Sequence, residues 1–327
     1  MKVVIIGCGL IGMKRAKALG EHQLLAACDS NIARSRNICA TVGSGEAISD
    51  WKAAASHPEA DIIIVATTNN WLTPIGMYAL QHNKHVLIEK PAALSSGEIK
   101  PLLEKAQNSD RKIKIGFNLR YHPSLIKARE IADSGKMGEL MFVRGRYGHG
   151  GRVGYDKEWR ANPAISGGGE LIDQGVHLID LSRWFLGELE EVSGYTDTYF
   201  WDMPVDDNAF LLLKNKNKKV AWLHVSCTEW KNMFSYEIYG KYGKLQIDGL
   251  GGSYGTEKLT YYQMLPQMGP PQATTWEFPG DDLSWKLEFE SFIEAIRLNK
   301  PVNGNIHDAY ETLRIVDNMY KVRNTGK

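Results

Sequence analysis

The chain opens with KVVIIGCGLIGMKRAKAL, a β-branched run, then glycines, then apolar positions recurring about every 3.6 residues; this pattern predicts a strand, a tight turn and a helix. The alternation continues. LLAACDS, DIIIVATT, KHVLIEKP and KIKIGFN are short apolar runs of strand type, and PIGMYALQH and SGEIKPLLEKAQ carry helical periodicity between them. Strands alternating with helices at this pace predict a doubly wound parallel sheet with helices on both faces. Ligands of such sheets bind beyond the carboxyl ends of the strands. Thr67, Asn69, Glu89, Lys90 and Asn118 all fall at those ends and become candidate site residues.

After about residue 120 the texture changes. ELMFVRGRY, AFLLLK, VAWLHVSCTEW, FSYEIYG, KLQIDG and KLTYYQ read as strands of an antiparallel sheet. Two helical patterns, GELIDQGVHLIDLSRWFLG and WKLEFESFIEAIRLN, are expected to frame that sheet, and HDAYETLRIVDNMYKV closes the chain. At 327 residues the chain exceeds the usual size of one core, which supports two domains. The expected division is 1–119, binding a dinucleotide, and 120–327, binding substrate and carrying any oligomer contact.

The first turn contains Gly7, Gly9 and Gly12 in the spacing G-x-G-x-x-G. The first glycine permits the turn, the second lets backbone amides approach a pyrophosphate, and the third allows close packing of helix on strand. Leu10 and Ile11, inside the motif, are expected against the same ligand. Asp29 ends the second strand 22 residues beyond Gly7, the spacing of an acid that accepts from the adenosine ribose hydroxyls. A carboxylate there repels a 2′-phosphate and favours NAD over NADP; Arg34 and Arg36 in the next helix work against that preference.

Lys and Arg number 39 and Asp and Glu 38, so no general charge favours nucleic acid or an anionic membrane, and neither is an expected partner. No run of about 18 apolar residues and no signal-peptide core occurs. A cytoplasmic protein is expected. Cys8, Cys28, Cys39 and Cys227 show no metal-binding spacing and read as small buried hydrophobes; no metal is expected.

The segment GGGELIDQGVHLID places Asp173, His177 and Asp180 at i, i+4 and i+7, one stripe of a regular helix over 170–186. The motif G-x-G-x-x-G at 7–12, Glu-Lys-Pro at 89–91 and G-G-G-E-L-I-D-Q-G-V-H at 167–177, in that order, resemble the Gfo/Idh/MocA family of sugar and cyclitol dehydrogenases. The resemblance implies a Rossmann domain followed by an α/β domain with a large, open, mostly antiparallel sheet, which often forms a homodimer or homotetramer interface. It also implies that Lys90, Asp173 and His177 form the catalytic group. One departure stands out: where the family usually reads A-T-P-N-x-x-H, this chain has ATTNNWL, with Thr68 for proline and Leu72 for histidine.

These readings lead to an NAD-dependent oxidoreductase acting on a secondary alcohol of a sugar. His177, with a reference pKa of about 6.5, suits the acid/base; Asp173 would orient it or hold a hydroxyl, and Lys90 would polarise the oxygen. Arg120, Arg144, Arg146, Arg152 and Arg160 suggest an anionic ligand, hence a nucleotide-linked or acidic sugar of glycan biosynthesis, with a free sugar or inositol as the alternative. Asn118, Arg120, Tyr147, His149 and Arg160 are the expected substrate contacts, with Trp159 and Trp230 offering further faces to a sugar ring. A glycosidase using NAD transiently, or a regulator that only binds the cofactor, would fit the same motifs less well.

Overall fold

In the computed structural model, which describes residues 1–325 and side chains as far as residue 321, the chain forms two compact units. Unit 1 comprises Met1–Asn118, Ala164–Gly167 and Trp285–Glu311; unit 2 comprises Leu119–Pro163, Gly168–Ser284 and, among the described residues, 312–325.

The first stretch runs β1 (Lys2–Ile6), α1 (Leu10–Lys17), β2 (Gln23–Cys28), α2 (Ile32–Val42), β3 (Glu46–Ile48), α3 (Trp51–Ala55), β4 (Ile62–Val65), α4 (Asn69–Gln81), β5 (His85–Ile88), α5 (Ser96–Gln107) and β6 (Ile113–Ile115). Its six strands are all parallel, in the order β3-β2-β1-β4-β5-β6. The order reverses between β1 and β4, the crevice where such sheets take a dinucleotide. β1, β4 and β5 are almost wholly buried and read as unbroken apolar runs, as parallel strands covered on both faces must.

The second stretch begins with α6 (Pro123–Asp133) and β7 (Leu140–Gly148), passes through the single turn α7 (Pro163–Ser166) and enters a π-helical turn, Leu171–Gly175, followed by α8 (Val176–Leu186). Seven strands follow: β8 (Glu191–Asp197), β9 (Asn208–Lys214), β10 (Val220–Ser226), β11 (Met233–Gly240), β12 (Gly243–Asp248), β13 (Glu257–Gln263) and β14 (Gln272–Phe278). With β7 they form an eight-stranded sheet, β14-β13-β12-β11-β7-β10-β9-β8, antiparallel except where β7 meets β10. Alternation along the strands sorts the faces. Val143, Tyr147, Leu211, Leu223, Val225, Tyr236 and Ile238 are buried on the side that α8 covers, while Tyr195, Phe210, Leu212 and Trp222 lie exposed on the other.

The chain ends with α9 (Ser284–Arg297) and α10 (Ile306–Thr325). The pattern of α9 suggested a helix framing the antiparallel sheet. Instead its Phe289, Phe292 and Ile293 pack with Val3, Ile5, Leu19 and Leu87 in the core of unit 1. An amphipathic stripe specifies that a helix is covered but not by what. The regular helix expected over 170–186 is likewise interrupted by the π turn, and α8 is buried on all sides.

Candidate active site

In unit 1 the three glycines of the first turn have different reasons. Gly7 has φ +96°, and a Cβ there would lie 2.4 Å from the backbone of Ala66; one on Gly12 would lie 2.0 Å from the Gly7 carbonyl oxygen. The chain's own backbone requires both. A Cβ on Gly9 would meet nothing within 4 Å, so the fold leaves that position open. Gly9 precedes α1 without a side-chain cap, leaving the first-turn amides to another acceptor. Leu10, the first residue of α1, is exposed and Ile11 half-buried.

Asp29 follows β2, and its carboxylate accepts from the amides of Cys8 and Asn31, each at 2.8 Å. It thereby ties the glycine turn to the start of α2. Each carboxylate oxygen keeps accepting capacity beyond those bonds, so ribose hydroxyls remain compatible with it. Burial pushes the Cys8 thiol up to about 12 and the Cys28 thiol up to about 11, leaving both protonated at neutral pH.

The other strand ends are more structural than their residue types suggested. Asn69 donates to the Ser166 carbonyl at 2.8 Å, holding the short return segment of unit 1, and Thr67 donates to the Thr68 carbonyl at 3.2 Å. In the ATTNNWL segment Thr68 is the N-cap and Asn69–Leu72 form the first turn of α4, with Leu72 fully buried. Glu89 receives Arg15 Nε at 2.6 Å, and Arg15 also meets Glu288 at 2.6 Å, all three buried. Burial raises the Glu89 pKa even though Arg15 opposes it. Lys90, next in the chain, is half-buried; Asn118, at the end of the unit, is buried.

In unit 2 the glycine run at 167–169 is explained by packing. A Cβ on Gly169 would lie 1.8 Å from the Asp206 carbonyl oxygen, and one on Gly168 2.1 Å from the Tyr320 hydroxyl. Asp206 accepts from the amides of Gly169 (3.1 Å) and Leu171 (2.8 Å) and from the Tyr320 hydroxyl (2.8 Å), so a buried carboxylate caps the π turn. That close seat fixes the start of the π turn that carries Asp173 and runs into the helix carrying His177. The packing accounts for Gly168 and Gly169 with no ligand invoked.

The expected polar stripe divides. Asp180 lies in a buried, bidentate pair with Arg120, at 2.6 and 2.8 Å, under the ring of Trp184. Asp173 is half-buried and receives Arg160 Nε at 3.0 Å. His177 is buried, with the Tyr147 ring set nearly edge-on at 6.0 Å between centroids. Burial pushes the Tyr147 phenol well above its usual value, so it is a neutral hydroxyl. His149 accepts from the Gly151 amide at Nδ1 (3.0 Å) and turns Nε2 to Glu170 at 3.4 Å, a carboxylate that also receives the Tyr155 hydroxyl at 2.7 Å.

Unit 2 therefore gathers Asp173, His177 and Tyr147, with Arg160, and sets His149 beside them on Glu170. It commits Arg120 elsewhere. Sequence reasoning missed Glu170, Tyr155 and Asp206; only Glu170, inside the glycine-led motif, had a signal that could have drawn attention.

Two family models match the chain: residues 1–117 match the oxidoreductase family's NAD-binding Rossmann fold, and residues 125–246 match the Gfo/Idh/MocA C-terminal domain. The chain belongs to the Gfo/Idh/MocA family. It is similar to levoglucosan dehydrogenase of Pseudarthrobacter phenanthrenivorans, at 26% identity over 92% of this chain and 87% of that protein. D-glucoside 3-dehydrogenase of Escherichia coli is 24% identical over 100% of this chain and 96% of its own length. Among solved structures, a levoglucosan dehydrogenase in complex with NADH superimposes with a TM-score of 0.90 at 20% identity, covering 99% of this chain and 97% of the other. The fold is therefore the family's: a parallel Rossmann sheet and a large, mostly antiparallel second sheet.

The protein is an NAD-binding oxidoreductase. The residues of unit 1 fit that cofactor. Gly9 leaves space where a side chain would stand, the uncapped amides of α1 suit a pyrophosphate, and Asp29 suits the ribose.

Proposed function

We propose that the protein is a dehydrogenase acting on a secondary alcohol of a neutral sugar or cyclitol, in either direction. One observation carries the choice of a neutral substrate: each arginine that suggested an anion already has a carboxylate partner. Arg120 meets Asp180 at 2.6 Å, Arg144 meets Glu237 at 2.7 Å, Arg146 meets Glu229 at 3.6 Å, Arg152 meets Glu158 at 2.6 Å and Arg160 meets Asp173 at 3.0 Å. A phosphate or sugar acid would have to compete with those carboxylates. The nucleotide-linked sugar of glycan biosynthesis thus loses the feature that suggested it, and the free sugar or cyclitol is favoured. The sugar dehydrogenases among the relatives agree with that class.

Oxidation of a CH–OH carbon to a carbonyl releases a hydride and a proton. NAD, when bound, supplies the hydride acceptor, or in reduced form the donor. His177 takes the hydroxyl proton, or returns it in the reverse direction. Asp173, held by Arg160, keeps a fixed acceptor beside it. Tyr147 presents a neutral hydroxyl to the sugar, and Lys90 contributes the positive charge that favours an oxyanion at the reacting carbon. Asn118 and His149 remain candidate sugar contacts. Thr67, Leu10 and Ile11 are assigned to the cofactor side.

The test is a panel of neutral sugars, cyclitols, sugar acids and nucleotide-linked sugars, followed by NADH absorbance in both directions. Turnover of neutral substrates, falling roughly two to four orders of magnitude in His177→Ala with NAD binding retained, is the expected result. Turnover confined to anionic substrates would overturn the proposal. For assembly, we assign a homodimer or homotetramer contact to the exposed face carrying Tyr195, Phe210, Leu212 and Trp222, an apolar patch of the kind that marks interfaces. Light scattering of Leu212→Glu/Trp222→Glu should then show a smaller species. Among the described residues no helix is long and apolar enough to cross a membrane.

A further inference from the structure

We infer that Tyr254 is a substrate-contacting specificity residue, its hydroxyl joining that of Tyr147 to bind a sugar hydroxyl beside the one His177 handles. The inference rests on the reading of unit 2 as a sugar site.

Tyr254 stands on the turn between β12 and β13, in the sequence Gly249-Leu250-Gly251-Gly252-Ser253-Tyr254-Gly255. Gly249, Gly251, Gly252 and Gly255 all have left-handed backbone, at φ +72°, +77°, +53° and +85°. Gly252 and Gly255 have no atom within 4 Å of a Cβ position, so neither is demanded by packing. What they provide is backbone conformation: a tightly folded tip whose residues 252, 253, 255 and 256 are exposed while its tyrosine turns back and is half-buried. Asn232 donates to the Ser253 hydroxyl at 2.6 Å and anchors the tip to the loop after β10.

The tyrosine turns toward the candidate chemistry. Its ring centroid lies 5.6 Å from that of Tyr147, which in turn lies 6.0 Å from the imidazole of His177. Burial raises the Tyr254 pKa, with Glu170 and Asp173 adding to it, so the group is neutral and both donates and accepts. Packing alone does not call for a second hydroxyl here, because Phe234 already covers another edge of Tyr147 at 5.5 Å. Two neighbouring phenols beside an imidazole suit neighbouring hydroxyls of a sugar ring, because each phenol both donates and accepts.

The experiment compares wild type, Tyr254→Phe and Tyr254→Ala on the best neutral substrate and on its single-deoxy analogues, with the KM for NAD measured alongside. In wild type, one deoxy analogue should lose roughly three- to tenfold in kcat/KM, the effect of one neutral hydrogen bond. Tyr254→Phe should lose a similar factor on the parent sugar, leave the KM for NAD unchanged, and no longer distinguish that analogue from the parent. If Tyr254→Phe loses the same factor on the parent and on every analogue, or loses nothing, the inference is overturned. Tyr254→Phe keeps the ring, so it remains informative if Tyr254→Ala does not fold. A wild-type protein that turns over no neutral sugar overturns the proposed function and this inference with it; loss of the analogue coupling alone overturns only the inference.

Discussion

Replacing Gly9 and Gly12 by alanine, one at a time, separates a glycine kept for a ligand from a glycine kept for the fold. At Gly12 the new methyl would sit 2.0 Å from the Gly7 carbonyl oxygen, far inside van der Waals contact, and the obstacle is backbone, which cannot rotate away. Alanine gains about 1 kcal/mol of helix propensity over glycine, while overpacking typically costs about 1–3 kcal/mol and more where backbone must move. Because the obstacle here is backbone, the cost lies at about 3 kcal/mol or more, and the net expectation for Gly12→Ala is a loss of about 2 kcal/mol or more in unit 1. At Gly9 the methyl meets nothing within 4 Å, and φ −75° with ψ −161° is open to any residue. Only the poorer capping preference of alanine counts against it, about 0.5–1 kcal/mol. NAD affinity should move the other way round: Gly9→Ala places a carbon where the pyrophosphate must approach the amides and should weaken binding about tenfold or more, equivalent to about 1.4 kcal/mol. Urea denaturation followed by circular dichroism, paired with calorimetric titration of NAD, measures both quantities. A Gly9→Ala protein that binds NAD as wild type does, or that unfolds as readily as Gly12→Ala, would refute the assignment of the open glycine to the cofactor.

Further outcomes follow from other contacts. Arg15→Met strands Glu89 and Glu288 without the guanidinium that pairs them; breaking a buried pair by removing one partner costs about 3–5 kcal/mol, and Lys114, 3.7 Å from Glu288, offsets only part of it. Denaturation should show that loss, and Arg15→Met/Glu89→Leu should recover much of it; an Arg15→Met protein within about 1 kcal/mol of wild type would contradict the network's role. Asp29→Ala should narrow the preference for NAD over NADP in titrations of both cofactors, and it also removes the acceptor of the Cys8 amide, so both affinities should fall; equal affinities in wild type would contradict the ribose assignment. Burial alone would raise the Glu257 pKa, but His122 at 3.1 Å and the Ser124 amide at 2.7 Å outweigh it and hold the pKa below its usual value. The unfolded chain then binds the proton more tightly than the folded one, so this stability is present above the unfolded pKa of about 4.3 and is lost as pH falls through the folded value. Denaturation midpoints of Glu257→Gln between pH 3 and 6 should therefore fall less steeply toward acid than those of wild type.

Local pattern was enough to make much of this protein legible. The apolar runs of β1, β4 and β5, the helical stripes between them, and the glycines of the first turn are properties of neighbouring residues, and neighbouring residues decide period and turn chemistry. The same holds for the central strands β7 and β9–β13 of the second sheet. β8 and β14 escaped because they are edge strands: QATTWEF is largely exposed and EVSGYTD is interrupted by Gly194, so neither has a buried face to impose alternation. The rest is a matter of partners that sequence distance hides. Arg120 finds Asp180, Arg160 finds Asp173, and Arg15 joins Glu89 to Glu288 from a helix near the end of the chain. A charged residue reads the same in sequence whether it waits for a ligand or is already neutralised, because Coulomb attraction depends on distance in space. Tertiary structure alone decided that the arginines are paired, that Gly168 and Gly169 make room for Tyr320 and Asp206 while Gly9 makes room for nothing in the chain, and that Tyr254 reaches Tyr147 beside His177.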